Sequence, residues 1–204
     1  VSASAGADVP DLGDPADLAD EIAAQLADWL PANDDPARPL MTLSTGSSSG
    51  YPDARTVLLS EYDERGFFFH TDSRSRKVAD VTGDPRAALT LVWPGRQLVV
   101  QGDVARADDA EELWAYRHRS RYLQVLAWLN TAEFAALPLD ERLARWAEFE
   151  VAHPEGTLEP PPTWAGFVVR PVRLTFWEGR PDTASRRTEF RRTADAWSRA
   201  HLPG

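Results

Sequence analysis

From Pro39 onward the chain is written in short runs whose side chains alternate between apolar and polar. Leu40 to Thr45, Ala54 to Glu61, Gly66 to Thr71, Ala87 to Trp93, Gln97 to Ala105 and Gly166 to Trp177 are rich in β-branched and aromatic residues. Successive side chains of a strand point to opposite faces, so a period of two predicts half-buried strands rather than helices. Turn-forming clusters such as Gly46 to Gly50 and Asp63-Glu64-Arg65-Gly66 separate the runs. Six such strands at short spacing predict a mainly β fold with added helices, built as a barrel or sandwich.

The helical signals lie at the edges of this pattern and in one insertion. Asp14 is placed to cap a helix opened by Pro15, and Leu18, Ile22, Leu26, Trp29 and Leu30 recur at helical spacing until Pro31 and Asn33-Asp34-Asp35-Pro36 end it. Ser73 to Val81 predicts a short helix closed by Gly83-Asp84-Pro85. Residues 108–152 form a helical insertion, read as Glu111 to Tyr122, Leu123 to Phe134 and Leu139 to Ala152, with Leu143, Trp146 and Phe149 on one face of the last. Residues 1–13, rich in Ala, Ser, Gly and Asp, read as a flexible acidic tail, and residues 14–204 as a single domain with no internal repeat.

Composition narrows the function. At 204 residues, 43% hydrophobic and 26% charged, the chain is long enough for one sizeable core. It has no Cys, which excludes a disulfide framework, a thiolate metal site and a Cys nucleophile. The net charge of −10 is concentrated in residues 1–37, which hold nine acidic side chains and no Lys or Arg. An acidic leader on a nearly neutral body argues against nucleic-acid binding. The sequence shows no membrane-spanning run and no export signal, so a cytoplasmic protein is expected. His70, His118, His153 and His201 lack metal-ligand spacing, and no metal is expected. Arg117-His118-Arg119-Ser120-Arg121 reads as a solvated helix face beside Glu111 and Glu112.

One stretch points to a ligand. Ser75-Arg76-Lys77 puts a hydroxyl and two cations at the start of a short helix, just past the strand Phe69-His70-Thr71. Free N–H groups, the positive helix end and charge-assisted donors converge there, as an anion such as phosphate requires. A solvated basic helix start is the alternative.

The order and spacing of these pieces resemble the pyridoxamine 5′-phosphate oxidase family of FMN-binding split barrels. The resemblance runs from about Asp14 to Gly204. It passes through Arg55-Thr-Val-Leu-Leu, Phe69-His-Thr, Ser75-Arg-Lys, Asp84-Pro-Arg-Ala, Trp93-Pro, Arg96-Gln97-x-Val-Val-x-Gly102 and Phe176-Trp177-x-Gly179. It implies an FMN-binding split barrel with a helical insertion, acting as a homodimer on a small-molecule substrate. Arg55, Val57 and Leu58 would lie along the FMN, His70 and Thr71 would replace a Tyr-Thr pair, and Ser75, Arg76 and Lys77 would hold the phosphate. Gln97 would meet the flavin's polar edge, and Trp177 and Arg187 would reach it across the dimer. Cations for phosphate, an amide for the pyrimidine edge and apolar walls for the ring suit a flavin.

Departures fall in two places. A Gln-Ser pair of the family is Ala132-Glu133 here. Six positions that hold pyridoxal phosphate in the family's oxidases read Ser60, Ala115, Arg119, Leu123, Thr183 and Ser185, and only Arg119 is retained. Ser60-Glu61 resembles the variant of phenazine-biosynthesis flavin oxidases, which act on a non-phosphorylated aromatic acid, although their Arg-x-His element is missing. The expectation is an FMN-dependent oxidoreductase taking hydride at flavin N5 from an aromatic or anionic substrate other than pyridoxine phosphate, with Ser60 and Arg119 near that substrate and no catalytic residue assigned. Two alternatives are a true pyridoxine or pyridoxamine 5′-phosphate oxidase with a rearranged pocket, and a binding protein that holds a planar ligand without turnover.

Overall fold

The computed structural model describes residues 15–194 and 196–204, so Asp14 and the segment 1–13 lie outside the described residues. Its elements are α1 (Pro15–Trp29), β1 (Leu40–Gly46), β2 (Pro52–Leu58), β3 (Glu61–Asp63), β4 (Gly66–Asp72), α2 (Arg76–Gly83), β5 (Arg86–Trp93) and β6 (Arg96–Arg106). There follow α3 (Asp109–Arg117), α4 (Arg121–Leu129), α5 (Ala132–Ala135), α6 (Leu139–Ala152), β7 (Trp164–Glu178), β8 (Arg186–Thr193) and β9 (Ala196–Pro203).

All strand pairs are antiparallel, in the order β2-β1-β5-β6-β7-β4-β3, with β8 added beside β7 and β9 beside β8. The two ends of the seven-strand path, β2 and β3, are joined by Leu59 and Ser60 alone, so the sheet must curl until its edges nearly meet. Leu59 N donates to Pro39 O and Ser60 N to Phe68 O, each at 2.9 Å, which closes the seam. The predicted strand Ala54 to Glu61 is therefore two strands: the chain leaves its pairing with β1 at Leu58 and takes up pairing with β4 at Glu61.

β7 organises the molecule. One edge pairs with β6 from Phe167 to Glu178, while the other serves β4 over Trp164 to Val169 and β8 over Arg173 to Glu178. A bulge opposite Gln101 and Gly102 bends it between these halves. Gly102 is needed at that bend, because a Cβ there would stand 2.1 Å from the Arg170 carbonyl oxygen.

The barrel core contains Met41, Leu43, Phe67, Phe69, Leu89, Leu98, Val100, Leu174, Phe176 and Phe190. The periodic face of α1 joins it as the sequence predicts, with Leu18, Ile22, Leu26 and Trp29 all buried. Trp29 meets Phe176 edge to face at 5.1 Å, and Glu21 holds Arg199 of β9 at 2.7 Å. β4 is buried on both faces, by the barrel core on one and the insertion on the other. Tyr116, Val125 and Trp164 form a second cluster with partly buried Trp146 and Phe149. Leu143 stays exposed, so the predicted face of α6 is only partly used.

Two further corrections concern the insertion. The run read as one helix from Leu123 to Phe134 breaks at Asn130, where Thr131 accepts from Phe134 N and caps α5. The basic run 117–121 is not a helix face. Arg117 pairs with Glu159, Arg119 turns inward, and Arg121 donates to the His153 carbonyl.

Candidate functional site

Two cavities sit between the barrel's outer face and the insertion. The smaller, about 180 Å³, includes Thr71, Ser75, Lys77, Arg119 and Trp164 in its wall. The larger, about 470 Å³, is walled by Leu58, Ser60, Ala115, His118, Arg119 and Leu123 among others. Arg119 and Leu123 belong to both walls and form the partition. Ser60, Ala115, Arg119 and Leu123, scattered in sequence, thus converge on one space.

The smaller cavity has donors without matching acceptors. Ser75 is the N-cap of α2, yet its side chain caps nothing, and Ser75 Oγ is buried without a hydrogen-bond partner. Lys77 Nζ donates to Thr71 Oγ1 at 3.0 Å, and its ammonium is held below the usual lysine value by burial and by the nearby Arg55 charge. An orphaned hydroxyl beside a half-buried cation at a helix start fits an anionic group.

Arg55 and Arg76 are placed differently. Arg55 turns into the scaffold, donating to Thr45 Oγ1 at 2.7 Å and Asp80 Oδ2 at 3.0 Å, and pairing with Asp53 at 2.8 Å. Arg76 is exposed and shares Asp53 at 2.7 Å. Val57 packs on the barrel core, and Leu58 faces the larger cavity.

Beside the partition the side chains form a connected network. Ser60 Oγ lies 2.8 Å from His70 Nδ1, and His70 Nε2 lies 3.1 Å from Glu111 Oε2. Arg119 Nη2 donates to Ser60 Oγ at 3.3 Å, and its guanidinium stacks 4.4 Å from the Trp164 ring centroid. The His70 ring stacks on the same Trp164 at 5.1 Å, nearly parallel. Burial, helped by the Arg119 charge, pushes the His70 pKa down to about 3, so the imidazole is neutral. Burial also lowers the Arg119 pKa to about 10, against the pull of Glu111. Glu61 is raised to about 8 by burial and by the adjoining Glu111 carboxyl, and Glu111 is itself raised by burial.

The remaining residues stand elsewhere. Gln97 pairs in register with Trp177, and Trp177 with Arg187, so the three form one row across β6, β7 and β8. His70 pairs with Gly166 near the other end of β7, eleven residues from Trp177. At about 3.3 Å per residue that is roughly 35 Å of strand, too far for one chain to bring both sets to one ligand.

Glu61, Glu111, Glu112 and Trp164 are not among the site residues that the sequence singles out. Glu111 and Glu112 are expected on a solvated face, and both are buried. Arg106 forms two hydrogen bonds with Glu112, which also accepts from Gly166 N at 2.8 Å. The available signal was spacing: Glu111 and Glu112 lie one turn before the buried Ala115 and Tyr116, on the same helical face. Gly166 makes room, since a Cβ there would stand 2.9 Å from His70 Nε2.

Fold and site define a split β-barrel whose helical insertion encloses a small-molecule cleft. Residues 22–177 match the pyridoxamine 5′-phosphate oxidase family, and residues 164–203 match the pyridoxine 5′-phosphate oxidase C-terminal dimerisation region. The chain belongs to this family, whose members are FMN-dependent oxidases, and FMN is the cofactor that membership brings. A pyridoxine/pyridoxamine 5′-phosphate oxidase of Synechocystis is 37% identical over 195 residues, covering 92% of this chain and 90% of that one. A protein of the same name from Alkalilimnicola ehrlichii is 37% identical over 159 residues, covering 76% and 81%. Among solved structures, PhzG of Burkholderia lata in complex with tetrahydrophenazine-1-carboxylic acid superposes with TM-score 0.72 at 22% identity, covering 99% of this chain and all of that one. A pyridoxamine 5′-phosphate oxidase-related FMN-binding protein of Nostoc punctiforme gives 0.67 at 19% identity, covering 94% and 99%. The likeness to these structures is one of fold.

Proposed function

We propose that the protein is an FMN-dependent oxidoreductase that oxidises a small aromatic or anionic substrate other than pyridoxine 5′-phosphate, as a homodimer with two composite sites. The observation that carries this reading is the pair of cavities sharing Arg119, one with an anion-ready end at Ser75 and Lys77, the other walled by Ser60 and Arg119. Thr71, Ser75 and Lys77 would hold the FMN phosphate, with Arg76 able to swing in from the surface. Arg55 would act through the scaffold, fixing β2 and α2 beside it, and His70 and Leu58 would flank the ring. Gln97, Trp177 and Arg187 would come from the other copy, which the length of β7 and the matched dimerisation region support. FMN supplies a two-electron acceptor that takes hydride at N5.

The larger cavity supports the substrate class. Four of the six positions that bind the substrate phosphate in the family's oxidases wall it, and Arg119 is the one cation retained among them. Each charged hydrogen bond lost is worth about 1.5–3 kcal/mol, so a phosphate ester would be held orders of magnitude less tightly. Arg119, stacked on Trp164, and Arg38 in the same wall suit a carboxylate or a planar anion.

A second reading, a pyridoxine/pyridoxamine 5′-phosphate oxidase with a rearranged pocket, is favoured by the curated relatives that carry that name at 37% identity. The visible spectrum of the purified protein, with mass identification of ligand released by heat, tests the cofactor. Anaerobic mixing with pyridoxine 5′-phosphate, pyridoxamine 5′-phosphate and reduced aromatic carboxylic acids then tests the substrate. Bleaching of bound FMN by an aromatic acid alone supports the proposal, rapid bleaching by the phosphate esters establishes the second reading, and failure to hold added FMN at micromolar concentration overturns both.

A further inference from the structure

A dehydrogenation that delivers hydride to FMN leaves a proton behind, and the groups that flank the larger cavity offer it a path. Ser60 is the entry. Its hydroxyl faces the cavity, accepts from Arg119, and has His70 Nδ1 at 2.8 Å as the place for its own proton. On the far side of the ring, Nε2 meets the Glu111 carboxyl at 3.1 Å, which favours the tautomer with hydrogen on Nε2 and Nδ1 bare.

Glu111 completes the path outward. Its Oε2 faces His70, while its Oε1 is buried with no donor among the described residues, and the Glu61 carboxyl lies beside it on the wall of one cleft. Burial raises both carboxyls and each lies beside the other, which favours a proton held between the pair. Glu61 and Glu111 also border an open cleft beside Arg65 and Asp108, which shares Trp114 with the wall of the larger cavity.

We infer that Ser60, His70, Glu111 and Glu61 form a proton wire that carries the substrate's proton from the larger cavity to the cleft beside Arg65. The substrate loses a C–H as hydride to FMN and the adjoining N–H or O–H as a proton, and a C=N or C=O bond forms. That proton goes to Ser60 Oγ as the Ser60 proton moves to His70 Nδ1. The Nε2 proton passes to Glu111, and the proton shared by the carboxyl pair leaves from Glu61 to water. His70 changes tautomer without becoming a cation, in agreement with the burial that disfavours its charged form. Charged groups facing the wire are Asp63 and Arg65 beside Glu61, Asp108 and Glu112 on the α3 side, Arg106 from β6, and Arg119 at the entry. Ser60 touches the substrate; His70, Glu111 and Glu61 act through it.

The inference rests on the proposed oxidation only for the identity of the proton it carries, and its test needs no flavin chemistry. Nitrogen-15 NMR of the imidazoles in the full chain, as purified, should show His70 neutral and Nε2-protonated between about pH 5 and 8. Although the ring is fully buried, its Nε2 proton should exchange with water through the carboxyl pair. Glu61→Gln should slow that exchange about tenfold or more, since the amide cannot release a proton. Glu111→Gln, which can offer N–H to Nε2, should drive His70 to the Nδ1-protonated tautomer. A wild-type His70 that is cationic or Nδ1-protonated overturns the wire without recourse to any variant, as does exchange that Glu61→Gln leaves unchanged. Loss of bound FMN with an intact His70 signature would count against the cofactor reading instead.

Discussion

At residue scale the buried ionisable groups set how stability answers to pH. His70 is neutral in the fold, whereas in an unfolded chain it takes a proton below about pH 6.5, so its contribution is full above that value and is lost as pH falls toward 3. Glu61 has the opposite slope. Its folded pKa of about 8 lies above the unfolded value near 4.5, so folding binds an extra proton in that window and stability is lost as pH rises from about 4.5 to 8. Glu61→Gln should therefore stabilise the protein by about 2 kcal/mol at pH 8, after discount for solvent screening, and by little at pH 4.5. Urea denaturation at the two pH values measures this difference, and equal stabilities would place the Glu61 carboxyl in an ordinary solvated state. None of this was legible in the sequence: Glu61 looked like the end of a strand, and Glu111 and Glu112 like the solvated first turn of a helix. Their burial arises from β7 passing over α3 at Gly166, a contact between residues more than fifty positions apart.

At element scale the sequence carried further. The strands from Leu40 to Ala105 and the long strand after residue 163 follow from alternation and turn chemistry, and α1 follows from its periodic apolar face. Burial of Trp29 against Phe176 and Trp93 assigns α1 to the barrel core. Trp29→Ala should cost about 3–5 kcal/mol, read as a lowered denaturation midpoint, and a loss below 1 kcal/mol would mean that α1 is only loosely docked. β8 and β9 escaped the pattern because Arg186 to Thr193 is mostly charged, with only Thr188 and Phe190 turned to the core. The seam at Leu59 and Ser60 escaped for another reason: alternation runs straight through it, and only pairing partners show where one strand ends and the next begins.

At the scale of the whole molecule, the proposed function makes the opposite ends of β7 parts of two different sites. Lys77→Ala and Trp177→Ala should each abolish FMN retention when prepared alone. Unfolded together and refolded as a mixture, they should recover about a quarter of the wild-type flavin content, because half the dimers are mixed and each of these has one site free of both changes. No recovery, with dimers confirmed by sedimentation, would show that Lys77 and Trp177 serve the same chain's site. The resemblance implied such an arrangement as an expectation, and the separation of the two sets was not readable from strand spacing, since it appears only when β4, β6 and β8 are all seen to share β7.

The closure of the barrel at Ser60 separates two duties within one residue. Its backbone N–H holds the seam through Phe68, and every amino acid except proline supplies that group. Its side chain turns to the cavity, where it meets His70 and Arg119. The side chain at this position can therefore change, and with it the wall of the cleft, while the barrel stays shut. A fold with a cavity-lining position on its seam, anchored there through main chain, is one in which the cleft can be altered at little risk to the scaffold.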